Sequence, residues 1–281
     1  MKKTRSVGYV IMTIIVIGFL IITLFPIFWI FLNSFKNYQD IAFYPPKFVF
    51  QPTLDNYFSP DRLTPGAFRK SGFVYAIRDS AIISFFSVTV AVFIGTMAAY
   101  AITRLKVGGH SMLLVIISAR MMPGIVILLP LYLIYSKVGM VDTYFGLILT
   151  NIAFLLSFVI WMMSSYLKEV PEAIEESAII DGCNLWQVYF RIILPLSTPG
   201  LTAVGIFSFL AAWNEYLFAS ILTVKNITTA PVAVSQFILD KMIPWGGLSA
   251  ASIITLIPAF VFVLIVQKQM VSGLTFGSVK G

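Results

Sequence analysis

The sequence predicts an all-α integral membrane protein that crosses the bilayer six times. Three observations carry that reading: 59% of the 281 residues are hydrophobic, only 11% are charged, and the mean hydropathy is +0.93. A soluble chain carries about 25% charged residues, so charge is depleted by about half, as expected where lipid replaces water around the surface. The net charge of +7 suits contact with anionic lipid headgroups. Its basic residues are scattered through loops and form no patch, which argues against nucleic-acid binding. A single cysteine, Cys183, excludes an intrachain disulfide.

Apolar runs long enough to cross roughly 30 Å of hydrocarbon, at about 1.5 Å per residue, set the elements in order. They fall near residues 8–32, 77–103, 110–136, 143–167, 199–223 and 250–270. The first follows the basic start Lys2-Lys3-Thr4-Arg5, is far longer than a signal-peptide core and lacks a small-residue cleavage site. It is expected to be a retained transmembrane helix. Pro26, Pro123, Pro130 and Pro258 lie inside these runs and read as ordinary membrane-helix kinks. The loop 33–76 is rich in aromatics and prolines, too apolar for a free linker, and is expected to pack across the outer mouth of the bundle or line a partner's dock.

Basic residues orient the chain weakly. With both termini inside, nine Lys and Arg fall on each side, and Arg120 lies within a span. The positive-inside rule counts short loops and helix flanks, so the cluster at Lys2, Lys3 and Arg5 and the turn with Arg104 and Lys106 favour cytoplasmic termini.

The polar insert 168–198 stands out from its apolar surroundings. Pro171 suits a first helical position, where a missing amide hydrogen is harmless. Glu172, Glu175 and Glu176 follow where carboxylates favour the helix dipole. Ala173, Ile174, Ser177, Ala178 and Ile180 interleave with them at helical spacing, and Gly182 is placed to end the helix. Asn184 is placed to cap a second helix from Leu185 to Leu194, stopped by Pro195. The predicted product is a helix-turn-helix knob. Its small residues Ser177, Ala178 and Gly182 would allow close approach of a partner, and its flanking carboxylates could pair with basic groups there. An ordinary solvated loop helix is the alternative.

The order Glu176-Ser177-Ala178, Asp181-Gly182, Ile192 and Leu194-Pro195 resembles the EAA signature of permease subunits in binding-protein-dependent ABC importers. The segment Phe50-Gln51-Pro52-Thr53-Leu54-Asp55-Asn56-Tyr57 resembles the loop after the first helix of carbohydrate permeases. Met122-Pro123 with Pro130-Leu131-Tyr132, Asp142-Thr143-Tyr144 and Trp213-Asn214-Glu215-Tyr216 resemble their third, fourth and fifth spans. The ending from Gln267 through Gly273 to Lys280-Gly281 is similar to the tail of maltose-type G subunits. Ser177 and Cys183 depart from the usual alanines, and Asp79-Ser80 stands where Asn-Ser is common.

The resemblance covers most of the chain and implies the type I importer permease fold, with 168–198 as a cytoplasmic coupling loop. It implies that Glu172, Glu175, Glu176, Ser177, Ala178, Asp181, Gly182, Ile192, Leu194 and Pro195 engage an ATPase subunit dimer. It further implies a second homologous permease subunit, an extracytoplasmic sugar-binding protein and a carbohydrate substrate, with an oligosaccharide favoured. Residues 271–281, with Gly273, Lys280 and Gly281, would add a tail contact to the ATPase. The expected location is the cell inner membrane.

Charged or polar groups inside a span cost at least about 2.5–3.5 kcal/mol at its centre. Arg120, Asn214 and Glu215 therefore need partners. One reading places them with Tyr132, Trp213 and Tyr216 along a sugar pathway. The other makes them packing groups, including an Arg120–Glu215 pair. No GxxxxGK[ST] loop occurs, so ATP and Mg are expected on partner subunits and no cofactor in this chain. His110 is the only histidine, and neither a zinc site nor a nucleophilic triad can be assembled from the usual parts. The chain is not expected to be an enzyme. The rival classes are an ion-coupled secondary transporter, which needs paired ionisable groups at broken helices, and a non-transporting membrane scaffold.

Overall fold

The computed structural model describes residues 7–60, 66–69, 72–109, 111–238 and 243–276, with residue 7 and residues 267–276 described by backbone alone. Among these residues every regular element is helical. Besides the short helices Tyr38–Ala42, Asp55–Phe58 and Ala230–Ser235, the described residues form α1 Val7–Asn33, α2 Phe73–Thr103, α3 Met112–Arg120, α4 Gly124–Val138, α5 Tyr144–Glu169, α6 Glu172–Ile180, α7 Leu185–Leu196, α8 Thr198–Trp213, α9 Ala219–Leu222 and α10 Trp245–Phe276. Four of them are long and apolar enough to cross a membrane, and six spans result if each bent pair counts as one.

The breaks have local causes. α3 and α4 meet at 86°, where a continuous run over 110–136 was expected. Pro123 sits between them in extended conformation, with ψ at 128°. Having no N–H, and disfavouring helix at the residue before it, it interrupts the helix instead of merely kinking it. By contrast Pro26, Pro130 and Pro258 stay inside α1, α4 and α10. α8 ends at Trp213, and a turn over 214–218 precedes α9, so the run 199–223 is also interrupted.

The second helix of the knob differs from expectation at its end. Pro195 does not stop it: α7 continues to Leu196 and meets α8 at 74°. The turn Tyr189–Ile193 is π-helical, with Leu194 N–H donating to the Tyr189 carbonyl. A proline ring crowds the carbonyl four residues back, and the widened turn before Pro195 gives that carbonyl room.

The chain forms two compact units, residues 1–73 with 234–256 and residues 74–233 with 257–281. In the first, the segment after α1 folds back on the end of that helix. Thr53 N–H donates to the Phe35 carbonyl at 2.9 Å, and the Asn56 amide donates to the carbonyls of Ser34 and Lys36 at 3.0 and 2.8 Å. The Tyr57 hydroxyl adds a bond to Ser34 Oγ at 2.8 Å. A Cβ at Gly246 would lie 2.2 Å from Asn56 Oδ1, so only glycine lets the start of α10 approach this loop. Lys36 is buried, with Nζ 4.2 Å from the Trp29 ring centre and 5.2 Å from that of Phe50. Burial lowers its pKa, against a smaller upward pull from Asp40.

In the second unit, α2, α5 and α8 share one core through Ala91, Ala99, Val159, Met163, Val204 and Ala212. Ala178 of α6 and Val188, Tyr189 and Ile193 of α7 belong to the same cluster. The knob is thus not a loop hung outside the bundle. Its inner face is part of the core.

Candidate functional site

α6 starts one residue later than its sequence suggests. Pro171, with φ −61° and ψ 130°, is the N-cap and Glu172 the first helical residue. At the other end Gly182 has φ +89°, Gly182 N–H donates to the Ile179 carbonyl, and Cys183 N–H donates to that of Ala178. That pair of bonds is a Schellman motif, which requires the left-handed residue glycine supplies. Asn184 then starts α7 with a capping box: its side chain accepts from Gln187 N–H at 3.0 Å, and Gln187 Oε1 accepts from Asn184 N–H at 2.8 Å.

The structure divides the expected contact residues into three sets. Glu172, Glu176, Ser177, Asp181, Gly182 and Pro195 are exposed, Ile192 and Leu194 are half-buried, and Glu175 and Ala178 face the core. Ser177 does not offer its hydroxyl outward alone, because it donates to the Ala173 carbonyl at 2.7 Å. Beside the exposed carboxylates lie apolar side chains, of which residue spacing had singled out only Ile180. Ile180 is 85% and Trp186 62% exposed, with Ile179, Leu185 and Phe190 also open. An apolar patch of this kind, rimmed by charge, is the signature of a docking surface.

Glu175 is held from the other side. Its carboxylate lies 2.7 Å from Arg104 Nε, an ion pair off hydrogen-bond geometry, and it accepts the Tyr100 hydroxyl at 2.9 Å. The Arg104 guanidinium also reaches Glu172 at 3.1 Å and donates to the Leu167 carbonyl at 2.7 Å and to the Val170 carbonyl. Its side chain is 6% exposed. Arg104 therefore gathers the end of α2, the end of α5 and the start of α6 around one cation.

At the starts of α2 and α5 a carboxylate plays the matching part. Asp142, at φ 59°, accepts the backbone N–H groups of Val224, Lys225, Asn226 and Ile227 at 2.8–3.3 Å. Desolvation pushes its pKa up, but those four bonds outweigh it and hold the carboxyl below its ordinary value. The buried Asp79 accepts the Tyr144 hydroxyl at 2.7 Å, the Arg78 guanidinium at 2.9 Å and Thr228 N–H at 3.4 Å, and Ser80 Oγ accepts Ala230 N–H at 2.7 Å. The Asp79-Ser80 pair thus fastens the loop that runs through Thr228 to Ala230, a task an asparagine could share in part.

The expected pathway residues are not assembled into one site. Arg120 ends α3 just before the 86° break, with its guanidinium 4.8 Å from the Phe158 ring centre. Glu215 turns to the start of α9 and accepts Phe218 and Ala219 N–H at 2.7 and 3.0 Å. Among the described residues no ion pair joins the two, because each meets a need at its own helix break. Asn214 bonds back to the Leu210 carbonyl, and Trp213 is buried and stacked on Phe209. Tyr132 packs beside Leu128 and Phe218, and Tyr216 is 47% exposed. Gly273 lies within α10, whereas His110, Lys280 and Gly281 fall outside the described residues.

A chain helical throughout its described residues, with up to six spans among them and a core-anchored, exposed knob, defines a multi-pass membrane protein. The chain belongs to the family of binding-protein-dependent transport system inner membrane components, which matches it over residues 91–275. It is 36% identical to the trehalose transport system permease protein SugB of Mycobacterium tuberculosis, across 100% of both chains. It is 34% identical to the trehalose/maltose transport system permease protein MalG of Thermococcus litoralis, over 93% of each. Its fold matches a chain of the bacterial ABC transporter that imports the acidic polysaccharide alginate, with TM-score 0.73 and 21% identity over 95% of this chain and 98% of that one.

Proposed function

We propose that this protein is the permease subunit of an ATP-driven carbohydrate importer of the inner membrane, with an oligosaccharide as substrate. The observation that carries the reading is the knob α6–α7: a rigid, capped helix pair with a core-bonded inner face and an exposed apolar and acidic outer face. It sits in a chain whose family works with a binding protein and whose relatives are named for trehalose and maltose transport.

In this reading the knob is cytoplasmic, as are both termini, and docks an ATPase subunit. Ile180 and Trp186 enter the partner's groove while Glu172, Glu176 and Asp181 meet basic groups at its rim. ATP and Mg bind the ATPase dimer, whose closure drives the knob and that of a second, homologous permease together. A sugar-binding protein delivers substrate at the opposite face, next to the loop that Asp142 holds, and α10 carries the tail from Gly273 towards the ATPase. The separate partners found by Arg120 and Glu215 weaken the ion-coupled alternative, which needs paired ionisable groups.

The test is hydrolysis by the reconstituted complex, scanned over candidate sugars with binding protein present. Gly182→Asp places a side chain at φ +89°, a strain of roughly 1–2 kcal/mol, and adds charge at the tip. Retained assembly with lost sugar-stimulated hydrolysis is expected. Unchanged stimulation would overturn the coupling assignment, and the wild-type scan identifies the sugar.

A further inference from the structure

Arg104 has no neighbour in sequence that needs a cation, yet its side chain is 6% exposed and every face of it is occupied. It follows the last helical residue of α2, Thr103, and it reaches two other elements. From α5 it takes the carbonyl of Leu167, which also accepts Val170 N–H, and from the residue just past that helix the carbonyl of Val170. From α6 it takes the carboxylates of Glu172 and Glu175. The two acids are not equivalent. Glu172 is 70% exposed, and such a pair contributes about 0–1 kcal/mol. Glu175 is 9% exposed and is held by Tyr100 as well, whose ring lies 5.2 Å from that of Tyr189 in α7.

α6 is therefore joined covalently to α5 through a two-residue link, but its join to α2 is made by side chains: Arg104, Tyr100 and the apolar core to which both Ala99 and Ala178 belong. Pulling this pair apart would leave an uncompensated buried charge, which is costly, so the join on the back of α6 resists its displacement from α2.

We propose that Arg104 is a positioning residue which makes α6 and α2 move as one body, so that displacement of the knob is delivered to the whole of α2 and not only to the helices that flank the knob in sequence. This rests on the coupling reading above. Glu175 thereby serves as an internal strut, while Glu172 and Glu176 remain on the outer face.

The experiment uses the full complex in nanodiscs, with Cys183→Ser as background and spin labels at Ala173→Cys in α6 and Tyr75→Cys at the start of α2. Both label sites are exposed and lie outside the docking residues named above. The distance between them is measured without nucleotide and after trapping with ATP and vanadate. In the parent the distance is expected to stay constant through the cycle. Removing one partner alone strands a buried charge and can unfold the region, so the decisive variant replaces both, Arg104→Met with Glu175→Met. Melting temperature and co-purification of the ATPase subunit check that this variant still assembles. Its label distance is expected to change by several ångströms on trapping, with a loss of at least about threefold in stimulated hydrolysis. Arg104→Lys should restore the link in part, since an ammonium can hold Glu175 but lacks the fork that also holds two carbonyls.

A parent distance that shifts on trapping would overturn the proposal. So would a double variant that assembles, keeps a constant distance and hydrolyses at the parent rate. The coupling reading fails separately: if Gly182→Asp leaves stimulated hydrolysis unchanged, the knob is not the coupling element whatever the labels show.

Discussion

The two ends of α2 and α5 solve opposite electrostatic problems. The helices run side by side, joined by Tyr144–Asp79 near their starts and by Arg104 to Leu167 and Val170 at their ends. Asp79 and Arg104 lie about 37 Å apart along a straight helix. At the C-terminal end, terminal carbonyls and the negative dipole pole call for a cation, and one arginine fork serves both helices and the carboxylates of α6. At the N-terminal end, the incoming loop presents a row of N–H groups, and Asp142 gathers four of them. The cationic clasp binds side chains on a separate helix and so can pass on a displacement. The anionic clasp binds backbone of one loop and so can only hold that loop in shape.

The largest effect should come from Asp142→Ala. It orphans four N–H groups formerly bonded to a charge, and a loss of about 2–4 kcal/mol is expected even after water replaces some of them. A fall of several degrees in melting temperature, with faster amide exchange confined to residues 224–227, would support the anionic clasp. Exchange unchanged there would break the comparison at that end.

Acid should separate the ends as well. The Asp142 pKa is depressed in the folded protein, so its contribution is fully present above the unfolded carboxylate value, about 3.9, and is lost as pH falls through the lower folded value. Parent melting temperature should therefore drop in strong acid more steeply than that of Asp142→Asn, measured in the same detergent.

A smaller loss is expected for Tyr100→Phe. It removes one bond to Glu175 while Arg104 remains, so roughly 1 kcal/mol should go, visible as a shift of a degree or two in the melt. A shift as large as that of Asp142→Ala would mean that the tyrosine, and not the arginine, holds α6. The smallest effect belongs to Asp79→Asn. The amide oxygen can still accept from Tyr144, while the long 3.4 Å bond from Thr228 to the other oxygen is given up together with the Arg78 pair, whose arginine is 58% exposed. Stability within about 0.5 kcal/mol of the parent is expected by the same measurement.

Much of the scaffold was legible because it depends on short-range chemistry. Apolar length marked the spans, Asn184 marked a cap, and Gly182 marked a turn that needs positive φ. What reads badly from sequence is where a proline acts. Pro123 breaks a run while Pro130, seven residues on, is absorbed, and Pro195 is accommodated by a π turn where a stop was expected. The difference lies in what neighbouring helices tolerate, not in the proline.

The sequence by itself determined that this chain is helical, lies in a membrane and carries one polar knob, since hydropathy and capping act within a few residues. Tertiary structure alone decided which face of the knob is buried and which is exposed. Glu175 and Glu176 are adjacent and chemically alike, yet one points at Arg104, 71 residues away in the chain, and the other at solvent. Likewise Arg120 and Glu215, plausible partners by charge, go to Phe158 and to the start of α9. Pairing across such separations follows from how helices pack, and no local pattern encodes it.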